Sequence, residues 1–129
     1  MRTYKWLAAA TAVLSLTALT ACGGNDDEAG GSDKTGGFKI ALIPGVANDA
    51  YYGSVACGVQ AAAKESGSTV EVQAPKSFSP TDQIPILQAV VAKKPDVIII
   101  APTDSKALYA PLKQATAQGI KVVLVDTTL

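Results

Sequence analysis

The 129 residues of this sequence include no histidine, and this absence excludes the most common hydrolytic sites. Without histidine, neither a Ser-His-Asp nor a Cys-His arrangement can form within the chain. The sequence also lacks the G-x-S-x-G, Walker and G-x-G-x-x-G motifs, and its carboxylates are not clustered as metal ligands would be. It therefore disfavours an enzyme, an exported α/β hydrolase included, and predicts neither a metal nor a cofactor.

Basic residues are sparse too, and no basic cluster exceeds the pair Lys93-Lys94. If a leader with Arg2 and Lys5 is removed, 9 basic and 11 acidic residues remain, so we expect no nucleic-acid partner. Only two cysteines are present, too few for a disulfide framework. We interpret Cys57 as a small packing residue; a reactive thiol or an intermolecular contact is the alternative.

The N-terminus has the pattern of a bacterial lipoprotein signal. A basic start is followed by a mostly apolar, uncharged run over residues 6–19. This run is too short to span a bilayer as a helix, which takes about 20 apolar residues. Leu-Thr-Ala-Cys then resembles the lipobox, whose cysteine thiol receives a diacylglycerol before cleavage. We predict that residues 1–21 are a signal peptide and that Cys22 is the lipidated first residue; an uncleaved N-terminal anchor is the alternative.

A segment rich in glycine and charge follows the lipobox. Residues 23–37 contain six glycines, five charged residues and no aliphatic side chain larger than alanine. This composition is typical of a flexible tether. We therefore predict that residues 22–37 are a lipidated tether and that the rest of the chain is extracytoplasmic, anchored to the cell membrane in the periplasm or at the cell surface.

Residues 38–129 alternate between two hydrophobic periods. Four short β-branched runs predict strands, the first, third and fourth of them buried on both faces: Lys39–Ile43, Val70–Val72, Val97–Ile100 and Val122–Val125. Three segments with helical spacing lie between the strands. The first has an apolar stripe of Tyr52, Val55, Val59 and Ala62 and ends before Gly67, and the second runs from near Asp82 to Lys93-Lys94-Pro95 with Pro85 in its first turn. The third has Leu108, Leu112 and Ala115 on one face, a predicted kink at Pro111 and an end at Gly119. The order β-α-β-α-β-α-β predicts an α/β fold, a parallel sheet sandwiched by helices.

In such a sheet, ligands bind beyond the carboxyl ends of the strands. Residues 44–52, 102–104 and 126–128 follow three of these ends, and they contribute carboxylates, an amide, hydroxyls and two aromatic rings. Each of these side chains also has a structural alternative; for Tyr51 and Asp126 the ligand-binding interpretation is preferred. Tyr52 continues the apolar stripe of its helix and can equally be core, while Asp104 or Ser105 can cap the third helix.

The chain resembles the type I periplasmic sugar-binding proteins of ABC transporters, the group with ribose-, galactose- and autoinducer-binding members. The likeness covers essentially all of residues 38–129, and four stretches carry it: Lys39–Ile43, Asn48–Tyr52, Lys94–Asp104 and Gly119–Asp126. It implies a partial N-terminal lobe of that fold. The implied partners are a small polar ligand, a sugar, and an ABC permease in the membrane.

The resemblance also implies the ligand-binding residues: Asn48, Asp49, Tyr51, Tyr52, Asp126 and Thr127. In the family, the polar residue two before the aromatic pair hydrogen-bonds sugar hydroxyls, and the aromatic rings stack on the sugar. The carboxylate after the fourth strand grips adjacent hydroxyls. Charged acceptors and aromatic faces suit these tasks. Thr127 stands where some pentose-binding relatives have arginine.

Family members have two lobes that close on the ligand, whereas this chain covers one. We therefore expect a fragment or the product of an interrupted gene, with an open apolar edge at Lys121–Asp126 that favours self-association. The main hypothesis is a lipid-anchored solute-binding component of an ABC sugar importer. The alternative is a lipoprotein that presents a bound sugar or signal molecule to a membrane kinase or chemoreceptor.

Overall fold

A computed structural model describes residues 36–129 as four strands and three helices that alternate along the chain. The elements are β1 (Lys39–Ile43), α1 (Ala50–Glu65), β2 (Thr69–Val72), α2 (Pro80–Ala92), β3 (Val97–Ile100), α3 (Ser105–Ala117) and β4 (Lys121–Leu124). The predicted alternation is confirmed. The predicted signal peptide, Cys22 and the part of the predicted tether before residue 36 lie outside the described residues.

The four strands form one parallel sheet in the order β2-β1-β3-β4. Ile40 lies beside Val97, and the register continues to Ile43 beside Ile100. Consecutive strands build outward in opposite directions from the central pair β1 and β3, so the boundary between these two strands is the switch point of the sheet. In open α/β sheets the ligand crevice lies at such a point, outside the carboxyl ends.

Helices cover both faces of the sheet. On one face, α2 and α3 enclose the main core, which consists of Ala41, Ile43, Leu87, Val90, Ile98, Ile100, Leu108, Leu112, Ala115 and Ile120. Alternation along β1 directs Leu42, also fully buried, to the other face. There α1 buries Tyr52 and Ala63.

The buried face of α1 differs from the predicted stripe at its end. Ala62 is exposed, and Ala63 is the buried residue of the pair. The reason is geometric, because eleven residues complete three turns of 3.6 residues and bring Ala63 back to the face of Tyr52. Cys57 is exposed, so its interpretation as a packing residue is wrong. It lies five residues after Tyr52, which turns it away from the buried face.

Helix α2 begins two residues earlier than predicted. Ser79 is its N-cap, and the Ser79 Oγ accepts a hydrogen bond from the Thr81 N–H at 3.3 Å. Pro80 takes the first helical position, where its missing N–H costs nothing. Pro85 therefore lies inside the helix rather than in its first turn.

The predicted helix ends and the stripe of α3 are confirmed. Gly67 and Gly119 follow the caps of α1 and α3 with φ of 67° and 85°, a conformation that favours glycine. The residues that α3 buries are Leu108, Leu112 and Ala115.

Strand β4 is less buried than predicted. Val123 is 47% exposed, whereas the alternate residues of β3 reach the core. Within residues 36–129, β4 pairs with β3 alone, and α3 covers one of its faces. The self-association of this edge stays a prediction.

No helix in residues 36–129 is long and apolar enough to cross a membrane.

Candidate ligand-binding site

Asp49 is held at the carboxyl edge of the sheet because it caps α1. Its Oδ1 accepts hydrogen bonds from the N–H groups of Tyr51 at 2.9 Å and Tyr52 at 3.1 Å. These N–H groups have no partner within the helix, so the Asp49 side chain satisfies them. Sequence analysis predicted a ligand contact for Asp49 but not its role as a helix cap, although an aspartate just before a helical stripe is a recognised capping signal.

Two of the predicted site residues have left-handed backbone. Asn48 has φ of 60° and Asp126 has φ of 65°. Asparagine and aspartate adopt this conformation more readily than other residues with a Cβ, though at some cost. Strained backbone of this kind concentrates where a protein must direct a particular side chain. Here it occurs in the loop before α1 and two residues after β4, both at the carboxyl edge of the sheet; Lys94, which follows α2 at the opposite edge, has φ of 52° as well.

Tyr52 connects α1 to the segment that follows β4. Its hydroxyl donates a 2.8 Å hydrogen bond to Oδ2 of Asp126, while its ring is buried with 7% exposure. Within residues 36–129, Oδ1 of Asp126 has no hydrogen-bond partner, so it is open to a ligand hydroxyl. Tyr52 thus has a part in both the core and the candidate site, because its ring is buried and its hydroxyl orients the carboxylate of Asp126.

The environment of Tyr52 raises the pKa of its phenol to about 12. Burial is the largest cause, because it disfavours the phenolate. The hydrogen bond to Asp126 and its negative charge act in the same direction, as does the charge of Asp49. Tyr52 is therefore a neutral hydrogen-bond donor throughout the physiological range.

Tyr51 supplies the exposed aromatic surface of this edge. It is 53% exposed and packs edge-on against Tyr52, with the ring centroids 5.2 Å apart and the planes at 67°. About half of the Tyr51 surface is therefore accessible to a ligand. Tyr51 is thus placed to stack, whereas the buried Tyr52 is placed to hydrogen-bond.

The Thr127 hydroxyl makes a contact within the fold, and its predicted role in ligand binding stays a prediction. Its Oγ1 donates to the carbonyl oxygen of Pro102 at 2.8 Å, which joins the ends of β3 and β4. The hydroxyl oxygen retains its capacity to accept. Asp104 caps α3 by accepting from the Ala107 N–H at 2.7 Å, so the structural alternative for Asp104 is confirmed.

Sequence reasoning missed Gln83, which ties β1 and β3 together at the switch point. It is fully buried in α2, and its Nε2 donates to the carbonyl oxygens of Pro44 at 3.3 Å and Ala101 at 2.8 Å. Its Oε1 accepts from the N–H and hydroxyl of Thr103 at 2.9 and 3.0 Å. All four hydrogen-bonding positions of the amide are satisfied.

A cavity of about 230 Å³ lies at the opposite edge of the sheet. Its lining includes Lys39 and Thr69, at the amino ends of β1 and β2, together with Lys93 of the α2 cap. This cavity is separate from the carboxyl edge, where the predicted residues converge on an open surface.

A parallel α/β sheet whose carboxyl edge carries carboxylates and aromatic rings has the architecture of a solute-binding lobe. The comparison with known families agrees with this class. Residues 40–128 match the family described as periplasmic binding protein domain, and the chain belongs to this family. The resemblance to type I periplasmic sugar-binding proteins is thereby confirmed.

Curated and solved relatives support the same assignment. The chain is 28% identical to the ribose import binding protein of Bacillus subtilis over 116 residues, which are 88% of this chain. It is 48% identical to an ABC transporter solute-binding protein of Agrobacterium vitis bound to α-D-tagatopyranose, with a TM-score of 0.70 over 71% of this chain. A solute-binding protein of Clostridium phytofermentans with bound L-rhamnose is 29% identical, with a TM-score of 0.69 over 71% of this chain. These relatives are binding proteins and not enzymes, as the sequence predicted.

The chain spans only part of each relative. It covers 38% of the Bacillus subtilis protein, 31% of the Agrobacterium vitis chain and 29% of the Clostridium phytofermentans chain.

Proposed function

We propose that this chain forms one wall of a sugar site in a lipid-anchored, extracytoplasmic binding component of an ABC import system. The observation that carries the proposal is the convergence of Asp49, Tyr51 and Asp126 at the switch-point edge, with Tyr52 joining α1 to the end of β4. The sugar-binding relatives support the ligand class.

The chemistry of the wall fits a polyhydroxylated ring. Asp126 Oδ1 accepts from a ligand hydroxyl, and hydrogen bonds to a charged acceptor are the stronger kind. Asp49 contributes its second carboxylate oxygen beside Asn48, since Oδ1 is occupied by the helix cap. The exposed face of Tyr51 covers the C–H side of the sugar.

The test is a calorimetric titration of the full-length gene product with D-ribose, D-tagatose and L-rhamnose. We expect one of these sugars to bind with a dissociation constant in the micromolar range. Absence of binding for all three, in protein that is folded by circular dichroism, contradicts the proposal.

Transport and sensing share this site and differ in the partner. Uptake of the radiolabelled sugar in a strain without the gene separates them. We expect uptake to fall when the gene is deleted and to recover on complementation. Unchanged uptake, with loss of a sugar-induced transcriptional response, supports the sensing alternative.

A further inference from the structure

Phe78 is an exposed aromatic residue on the loop between β2 and α2. Its side chain is 52% exposed, although a phenyl ring gains nothing from contact with water. The sequence pattern did not single it out, because it belongs to neither hydrophobic period. Its position in the fold brings it to the carboxyl edge of the sheet.

The loop around Phe78 is held in place on both sides. The Ser79 N–H donates to the Ser77 carbonyl oxygen at 2.8 Å, which makes a tight turn with Phe78 at its apex. The Ser77 hydroxyl donates to Oδ2 of Asp82 at 2.6 Å. The ring therefore projects from an ordered turn.

Gly45 shows where the ring lies. A Cβ at Gly45 would come closer than 3.0 Å both to the Phe78 ring and to the Tyr52 hydroxyl. Gly45 lies two residues beyond the end of β1 and is buried. Phe78 thus lies over the strand end beside the hydroxyl that binds Asp126.

Tyr52 consequently has an aromatic neighbour on two sides. The Tyr51 ring packs against its ring, and the Phe78 ring lies near its hydroxyl. Tyr51 and Phe78 are each about half exposed, and they come from α1 and from the β2–α2 loop. Two separate elements therefore present apolar ring surface beside Tyr52, whose hydroxyl bonds Asp126.

The geometry points to Phe78 as a ligand-contacting residue that, with Tyr51, selects closed sugar rings over open-chain polyols. This inference rests on the proposed sugar-binding function. A closed ring offers a flat C–H face that an aromatic side chain covers. An open-chain polyol has no such face and loses more conformational freedom when it is bound.

The test compares variants of the full-length gene product by calorimetric titration with D-ribose, D-tagatose and L-rhamnose, and with ribitol as the open-chain probe. Phe78→Ala should weaken binding of the preferred sugar roughly tenfold, on the scale of one aromatic contact plus its buried area. It should leave ribitol binding unchanged. Phe78→Tyr, which keeps the ring, should bind the sugar within about threefold of wild type.

Tyr109→Ala is the matched control, because Tyr109 is 53% exposed and lies on α3 among Leu112, Val122 and Leu124. Phe78→Leu keeps apolar bulk over Gly45 and replaces the alanine variant in the test if that variant does not fold. We expect Phe78→Leu to bind the sugar about fivefold more weakly than wild type. If Phe78→Ala, or Phe78→Leu in its place, binds sugar as well as Tyr109→Ala does, the inference is wrong and the proposed function stands. If the wild-type protein binds no sugar, both fail.

Discussion

Tyr52 and Asp126 lie 74 residues apart in the sequence and share a 2.8 Å hydrogen bond at the carboxyl edge of the sheet. The bond joins α1 to the end of β4, and so it links the first helix of the fold to its last strand. It also engages one oxygen of the carboxylate and leaves the other for a ligand.

Asp126→Asn tests the charge of this carboxylate. Asparagine tolerates the left-handed backbone, so the fold should be kept while the charged acceptor is lost. We expect sugar affinity to fall by about 1.5–3 kcal/mol, the scale of a hydrogen bond to a charged group. Calorimetry of the full-length protein measures it. Unchanged affinity together with a lower melting temperature would assign Asp126 a structural role.

The stability of the fold should depend on alkaline pH through Tyr52. Its pKa is about 12 in the folded protein against about 10 when unfolded. The stabilisation is therefore complete below pH 10 and is lost as pH rises toward 12, by up to roughly 2 kcal/mol. Denaturant unfolding across this range should show the slope in wild type, and Tyr52→Phe should reduce it. An equal slope in both proteins contradicts the assignment.

Substitutions of Asp49 separate capping from ligand binding. Asp49→Ala removes both, and we expect it to lower stability by about 0.5–2 kcal/mol as well as to weaken sugar binding. Asp49→Ser keeps a capping oxygen and removes the charge. It should restore most of the stability while binding stays weak. If serine restores binding too, the contribution of Asp49 is to the helix alone.

Gln83→Leu should be strongly destabilising. It leaves the carbonyl oxygens of Pro44 and Ala101 and the N–H of Thr103 without their partner inside the protein. Unsatisfied buried groups cost about 1–3 kcal/mol each, so we expect a loss of at least about 2 kcal/mol in the free energy of unfolding. Gln88→Leu, at an exposed position of the same helix, is the control and should change stability little. Equal effects would contradict the account of Gln83.

Lipidation at Cys22 is testable by mass spectrometry of protein extracted from membranes. We expect a diacylglycerol adduct on Cys22 and no peptide from residues 1–21. Cys22→Ser removes the acceptor thiol and should release the protein from the membrane fraction if the signal is still cut, or leave the leader attached if it is not. An intact N-terminal methionine on the wild-type protein would exclude the lipoprotein hypothesis.

The strands and the α3 stripe could be predicted because burial imposes a regular spacing on them. β1 and β3 have the predicted bounds, and Leu108, Leu112 and Ala115 are buried as expected. The start of α2 could not be found from apolar spacing, since Ser79 and Pro80 define it by capping. Exposure of Val123 escaped prediction as well, because an apolar run does not reveal whether a helix covers its second face.

For the site, sequence analysis predicted the carboxyl edge of the sheet but not the hydrogen bonds between its side chains. The parallel direction of the strands places Asp49 and Asp126 at the same edge of the sheet, although β3 separates β1 from β4, whereas the bond to Tyr52 depends on how α1 packs on the sheet. Gln83 resembles any polar residue of an amphipathic helix, and its partners lie 18 to 39 residues away. No local pattern contains such a relationship.

The buried amide of Gln83 has a consequence for the course of binding. It fixes the strand ends beneath the site before any ligand arrives, so this wall has little conformational entropy left to lose on complex formation. Because this surface is preorganised, the association rate constant should be limited by the frequency of correctly oriented encounters rather than by a rearrangement of the surface. Discrimination between one sugar and another should then be expressed chiefly in how long each stays bound.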